Sequence, residues 1–564
     1  MPVKVGTPHS FHHFASVRAL IIVLLTGLVT SPTDAAAPKP ADGAGAGILH
    51  VRGTDIVDGK GRPVLLRGVA FGNQVWNNVR LPRRDHDETD YQRVAAMGMN
   101  AVRFYMNYRT FENDAAPGKY LDDGWQWLDD NVAWAKRHGV YLILNMHVPP
   151  GGFQSLGNGK ALWDRPEAQD RLIALWTAIA QHCKGEPTVA GYDLLNEPVV
   201  TKAASQWHDL AARVAAAIRT VDGDHMLFVE RLNSIANEWS EDDERGFFRI
   251  ADPNTVYEFH FYKPFHFTHQ SASWVPFTAQ NVHYPDARAE VEWFLLDRKA
   301  RTDASPKLPP GDTPWTYYEG APFRIDDPAI VVGKPLLIVK ANSGKVWFDD
   351  LTLEELAADG KTVKRVIWQQ NLTSTRGWYF WNKSGKGGAI RSESGHGDGA
   401  SIVVAGTAGD ANLGADVLRF RTSPGATYRL SGWMRGEKVP PTATCQIALD
   451  FFTSRAKVHD SDRAFVEQEV DAYVAWGKRE KVPLFLGEWG VIRFGFDEDR
   501  GGLRWVTDML DIMRARKLSF TYHAYHEDGF GLYRGAGALP DPARANTALI
   551  DLFTKTLNAK TAKK

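Results

Sequence analysis

The stretch "YDLLNEPVV", residues 192–200, ends a short apolar run on an Asn and a Glu, just before a Pro. Leu194 and Leu195 belong in a core, whereas the Glu197 carboxylate needs water or a partner. A second stretch, "VPLFLGEWGV" at 482–491, repeats the pattern with Glu488 closing the run. Near-continuous apolar runs of this length are what strands of a parallel sheet look like when both faces are covered. A polar residue at the end of such a strand has no packing reason to be there.

Working outward, the chain alternates such runs with amphipathic stretches. "ILHVRGTDIVDGKGRPVLLRGVAFG" reads as a hairpin turning at "DGKGR" and feeding a strand at 64–71. Further strands are expected at 100–106, 140–147, 189–195, 225–230, 255–261, 482–487 and 518–523. Helices are expected over 91–99, 124–139, 165–183, 202–221, 462–480, 501–516 and 543–557; Gly139 supplies a C-terminal stop for the second of them. Eight strands after the hairpin, in about 350 residues, predict a (β/α)8 barrel of class α/β. An open doubly wound sheet is disfavoured, because no glycine-rich phosphate loop follows the first strand.

Residues 291–455 interrupt this alternation. They are rich in Gly, Ser, Thr and Asp and carry short alternating runs such as "KVWFDDLTLEEL", "ASIVVAG" and "TYRLSGWM". That texture predicts an all-β sandwich inserted between strand six and its helix, on the barrel face where active sites lie. The barrel is then split into 49–290 and 456–564.

At the N-terminus, basic residues precede "ALIIVLLTGLVT" (19–30) and then "SPTDAAAP". The run is short for a membrane span and is followed by small residues suited to cleavage near Ala35–Ala37. A signal peptide over 1–37, a flexible leader over 38–48 and a secreted protein with no membrane association after cleavage are expected. With 66 basic and 67 acidic residues in 564, nothing favours nucleic acid or a polyanion, and a neutral ligand fits best. Cys183 and Cys445 are too few and too far apart for a disulfide framework or a metal site, and are read as two separate buried thiols.

The strand ends collect Arg103, His147, Asn196, Glu197, His260, Tyr262 and Glu488. Hydrolysis of a glycosidic bond needs two carboxyl groups flanking it, one protonated to donate to the leaving oxygen and one ionised. Glu197 and Glu488, closing strands four and seven, are candidates for that pair.

In order, "LLRGVAF", "MGMNAVRFY", "LILNMH", "YDLLNEP", "HFY" and "FLGEWG" resemble family 5 of the glycoside hydrolases over about 49–290 and 455–557. The resemblance implies a retaining β-glycosidase with Glu197 as acid/base and Glu488 as nucleophile. It implies that Arg103 keeps Glu488 ionised, that Asn196 binds the sugar 2-hydroxyl, that Tyr262 orients Glu488, and that His147 and His260 line the site. The family's Trp at the end of strand eight is missing from "SFTYHAYHEDGFGLY" (519–533), leaving Tyr525 or Trp489 as the expected sugar floor.

The insertion resembles carbohydrate-binding jelly rolls with a circularly permuted order, since "VWFDDLTL" (346–353) precedes "SPGATYRLSGWM" (423–434). Permutation requires 346–353 and 402–434 to share one sandwich. Trp378, Trp381 and Trp433 are its candidate glycan contacts, although the module could equally wall one side of the cleft. The expected partner is a neutral β-linked glucan or related glycoside, the expected chain a monomer, and no metal or cofactor is required. A transglycosylase, or a binding protein that has lost activity, remains the alternative to a hydrolase.

Overall fold

The computed structural model describes residues 47–559 except 237, 240–245, 276–281, 291–295, 376–377, 383–386, 398, 408, 416–417, 456–458 and 498. The expected signal peptide and all but the last two residues of the leader lie outside the described residues.

Eight parallel strands close into a barrel: β1 Arg67–Phe71, β2 Ala101–Asn107, β3 Tyr141–Val148, β4 Val189–Asp193, β5 Met226–Glu230, β6 Thr255–Phe261, β7 Leu484–Trp489 and β8 Ser519–Tyr522. Each pairs with the next in the chain, and β8 pairs with β1. Side chains alternate across a strand, so each strand feeds two cores. Val102, Phe104, Leu142, Leu144, Leu227 and Leu486 face the outer helices. Ala101, Tyr141, Ile143, Met226, Phe228, Val256 and Phe485 fill the lumen near its N-terminal end.

The helices end where local chemistry tells them to. Asp87 accepts the Thr89 amide while Asp90 accepts the Asp87 amide, opening helix Glu88–Ala96 with a reciprocal cap. Asp462 accepts from the Phe465 amide at the start of helix Arg463–Glu480.

The hairpin differs from its expected form. Its strands are His50–Arg52 and Asp55–Val57, turning at Gly53–Thr54 rather than at "DGKGR". The latter is a second turn, in which Asp58 accepts the amides of Lys60 and Arg62 and only Val57 bridges Pro63. Strand β1 accordingly starts at Arg67 instead of residue 64. Leu49 and Ile56 of this hairpin join the lumen cluster.

The β6–β7 connection leaves through a one-turn helix, Phe265–Thr268, and an antiparallel ribbon of Asp286–Glu290 with His459–Ser461. Arg421 ties this root to strand Phe420–Arg421, pairing with Asp286 and donating to the Ala287 carbonyl at 2.9 Å. Beyond the ribbon lie two antiparallel sheets. One runs 296–301, 444–454, 330–340, 410–415, 378–382; the other runs 311–319, 427–439, 345–356, 400–407, 387–394. Leu337, Val339, Ile447 and Leu449 of the first and Val346, Phe348, Leu353 and Leu430 of the second share one buried cluster. Strand Lys345–Leu356 pairs with both Ala400–Thr407 and Thr427–Val439, the neighbourhood that a permuted module requires.

Both cysteines are free and buried.

Candidate active site

Two to four positions beyond the apolar end of the lumen, the same strands carry Arg103 and Tyr105, Asn145 and His147, Glu230, and Glu258 and His260. These side chains fill the C-terminal end of the lumen, and Arg103 organises them. Its Nε lies 2.8 Å from Asp193 Oδ2 and 3.0 Å from Glu258 Oε1. Its Nη1 donates to Glu488 Oε1 at 2.7 Å, and its Nη2 to Asn196 Oδ1 at 3.0 Å. Gly487 is required here, because a Cβ at that position would meet Glu258 Oε1 at 1.6 Å.

Glu488 receives three donors. Besides Arg103, the Tyr105 hydroxyl donates to Oε1 at 2.6 Å and the Tyr262 hydroxyl to Oε2 at 2.9 Å. Burial pushes its carboxyl up, but His260, His523, Arg103 and His147 outweigh burial and hold it well below the usual range. Burial and the neighbouring Glu488 charge raise both tyrosine hydroxyls well above their usual range, so they remain donors.

Glu197 follows β4 with its backbone in the left-handed region, at φ 43°. His260 Nδ1 lies 3.0 Å from Glu197 Oε1 and 3.6 Å from Glu488 Oε2. The facing oxygens of the two carboxylates and this nitrogen all fall within 4.8 Å of one another. Burial lowers the His260 pKa, but Glu230 and Glu488, with hydrogen bonds to Glu197 and Glu258, lift it well above the ordinary value. Such an imidazolium is a hydrogen-bond donor; a cation held by this cluster would require it to give up its proton.

Asn196 is oriented by Arg103 and donates from Nδ2 to Ser155 Oγ at 3.3 Å. His147 stacks on Tyr105 with centroids 4.0 Å apart and turns Nδ1 to Asn145 Oδ1 at 3.0 Å; burial holds it well below its usual pKa. Arg103, His147, Asn196, Glu197, His260, Tyr262 and Glu488 therefore converge on one place.

Trp489 and Tyr525 do not join them. Trp489 is 0% exposed and packs on Trp505, Phe520 and Tyr522, because the residue after Glu488 points to the opposite side of the strand. Tyr525 is 1% exposed; its amide donates to the Ala70 carbonyl and its hydroxyl to Asp90 Oδ1 at 2.7 Å. Neither can be a sugar floor.

The aromatic surface at the mouth comes instead from Trp76, in the loop after β1, which is 36% exposed and stands edge-on to His523 at 6.1 Å. A Cβ on Gly72 would meet the Trp76 ring at 2.2 Å, so only glycine lets the ring lie against the chain there. His523 occupies the end of β8, with Nδ1 3.1 Å from the Tyr105 hydroxyl and 3.9 Å from Glu488 Oε2.

Residues 57–300 match the model of the cellulase family, glycosyl hydrolase family 5. That stretch of the chain is thus similar to the family's cellulases. Over 213 residues this chain is 32% identical to endoglucanase C of Acetivibrio thermocellus, covering 37% of this chain and 60% of that protein. Over 274 residues it is 31% identical to a beta-xylosidase of Phanerodontia chrysosporium, covering 41% of this chain and 55% of that one. The chain thus spans less than two thirds of the length of these curated relatives. A crystal structure of Thermotoga maritima Cel5A with mannotriose is 16% identical, with a TM-score of 0.45, covering 87% of this chain and 97% of that one.

Proposed function

We propose that this protein is a retaining β-glycoside hydrolase acting on a neutral β-linked glucan. The observation that carries the reading is the approach of Glu197 and Glu488 to within 4.8 Å, oxygen to oxygen, across His260 Nδ1. Retaining enzymes hold their carboxyl groups about 5–5.5 Å apart, and inverting ones leave about 6.5–9.5 Å for a water.

In this reading Glu488, kept ionised by its three donors and by His260, attacks the anomeric carbon. Glu197 gives its proton to the departing oxygen as the glycosidic bond breaks. Water then displaces Glu488 from the glycosyl-enzyme, and Glu197 takes the proton back. Arg103 fixes Asn196 so that its amide nitrogen can donate to the sugar 2-hydroxyl, a bond that strengthens in the transition state. Trp76 offers the apolar face on which a sugar ring stacks.

The inserted sandwich fits a glycan-holding module. Tyr379 and Trp381 are both 50% exposed on one face of strand Trp378–Asn382, and Gly414 lets the Tyr379 ring lie flat, since a Cβ there would meet its hydroxyl at 2.3 Å. Trp378 is 8% exposed within the sandwich core, and Trp433 is stacked on His396 at 3.9 Å. Tyr379 and Trp381 are therefore the contacts to expect. The apolar run at 19–30 supports export, where such a polymer would be met.

The test is proton NMR of the first product from a β-glucan, alongside Glu488→Ala. The β-anomer should appear before mutarotation, and the variant should lose more than the about 10²–10⁴-fold that acid/base groups contribute. An α-anomer first, or unaltered turnover in Glu488→Ala, overturns the reading.

A further inference from the structure

Glu230 closes β5 and is buried, yet no step of glycoside hydrolysis calls for it. A carboxyl placed away from water lowers stability unless it is hydrogen-bonded or paired, so its partners show what it is placed to hold. Its Oε2 accepts the backbone N–H of Glu197 at 2.6 Å. Glu197 is at φ 43°, a conformation that a residue with a Cβ keeps only where its surroundings over-determine it. The other Glu230 oxygen, Oε1, lies 3.6 Å from His260 Nδ1, the nitrogen that also bonds Glu197 Oε1 at 3.0 Å. Glu230 thus reaches Glu197 by two routes, through its main chain and through the ring against its carboxyl.

The His260 ring is bracketed from its far side as well. Glu258 stands in register with Glu230 on the adjacent strand, and its Oε1 lies 3.4 Å from His260 Nε2. With Glu230 and Glu258 on either edge, the ring stays between Glu197 and Glu488. The main chain is tied in the same place: the Asn233 amide donates to the Pro198 carbonyl, and Ser234 pairs with Val199, so the loops after β4 and β5 are joined.

Resting on the reading of Glu197 as acid/base, we propose that Glu230 is a positioning residue, which aims the Glu197 carboxyl at the leaving-group oxygen by holding its peptide N–H and the His260 ring. Glu230 does not touch the sugar. Its contribution is therefore to proton delivery, and it scales with how much the leaving group needs a proton.

That dependence is the test. Two aryl β-glycosides of the same sugar are compared, one releasing 2,4-dinitrophenolate, which leaves unprotonated, and one releasing unsubstituted phenol. The quantity read is kcat/KM, which reports formation of the glycosyl-enzyme. Glu230→Ala should lower kcat/KM on the phenyl glycoside by about 10²-fold, the lower end of what a placed acid contributes. On the dinitrophenyl glycoside it should fall by less than about threefold, since no proton is required there. Glu230→Gln, whose amide oxygen still accepts the Glu197 N–H, should recover most of the loss.

If Glu230→Ala does not fold, Glu230→Asp decides, because it keeps the carboxyl group and withdraws it from the Glu197 N–H by one methylene. The same selective loss on the phenyl glycoside supports the proposal. An equal loss on both substrates, in either variant, means that Glu230 serves the fold or Glu488, and overturns it. Failure of the underlying reading looks different: wild-type protein would then cleave neither glycoside, or Glu488→Ala would cleave both.

Discussion

At the N-terminal end of the lumen, Ile143, Phe228, Val256 and Phe485 pack against one another and against Leu49 and Ile56 of the hairpin. A few residues further along the barrel strands, Asp193, Glu258 and Glu488 surround one buried arginine. The backbone is the same and the burial is similar, but the free-energy terms are opposite. The lower end gains from removing apolar surface from water, about 25 cal/mol for each Å². The upper end carries Asp193, Glu230, Glu258 and Glu488 against Arg103 and His260, and every one of these ionisable groups was taken out of water. Desolvation of that kind is repaid only by close pairing. The lower end holds the barrel shut, and the upper end spends part of that stability to fix a set of carboxyl groups.

Arg103→Met is the harshest way to test this contrast. It removes the cation that Asp193, Glu258 and Glu488 share, and breaking a buried pair from one side costs about 3–5 kcal/mol. Turnover of the folded fraction should fall by about 10²–10³-fold as Glu488 and Asn196 lose their anchor, the range seen when one preorganised donor is removed. Denaturant unfolding and steady-state kinetics measure the two effects separately. A variant as stable and active as wild type would show that the upper end is not organised by this residue. Leu49→Ala probes the other end. A fully buried Leu truncated to Ala costs about 2–5 kcal/mol, yet kcat/KM per folded molecule should be unchanged, because Leu49 packs in the apolar cluster at the opposite end of the lumen. Turnover that falls in step with stability would mean that the two ends are one coupled unit.

The contrast also explains which residues could be read from sequence. Asn196, Glu197 and Glu488 stand out because each breaks an apolar run at its end; Arg103, expected at a strand end, lies third in Ala101–Asn107 and enters the lumen from mid-strand. Glu230 ends its strand by the same rule, but no family motif surrounds it to mark it as part of a site. Glu258 sits within "VYEFHF", where alternation puts it on the side of His260. Tyr105 hides in "FYM", where an aromatic reads as core; only its spacing of two from Arg103 places it in the lumen. Trp489 and Tyr525 misled in the reverse direction. Proximity in sequence to Glu488 and His523 suggested a place in the cleft, but strand alternation turns Trp489 outward, and a backbone bond to Ala70 turns Tyr525 into the core. The eightfold alternation was legible because helix and strand periods differ along long segments. The turn inside the hairpin was not, because Gly53–Thr54 and "DGKGR" carry equivalent turn signals and only pairing distinguishes them.

A smaller effect sharpens the comparison without changing a side chain. Burial first, with neighbouring carboxylates after it, raises Asp193 and Glu230 well above the usual carboxylate range, and the surrounding acids raise His260. In the unfolded chain these carboxyls lose their protons near pH 4, and the histidine near 6.5. Above pH 7 the folded protein therefore holds more protons than the unfolded one, and stability falls as pH rises, by up to about 1.4 kcal/mol per pH unit for each proton of difference. Glu488, depressed well below its usual value, acts in the other sense and only below about pH 4. His147 and His269, lowered by burial, lose stability as pH falls below about 6.5. The clean window is pH 7 to 8, below the ionisation of the two thiols in the unfolded chain at about 8.5. Across it, the free energy of unfolding should decline in wild type and in Leu49→Ala with the same slope, and less steeply in Glu230→Gln. A slope unchanged in Glu230→Gln would remove Glu230 from the groups that hold a proton in the fold, and with it part of the contrast between the two ends.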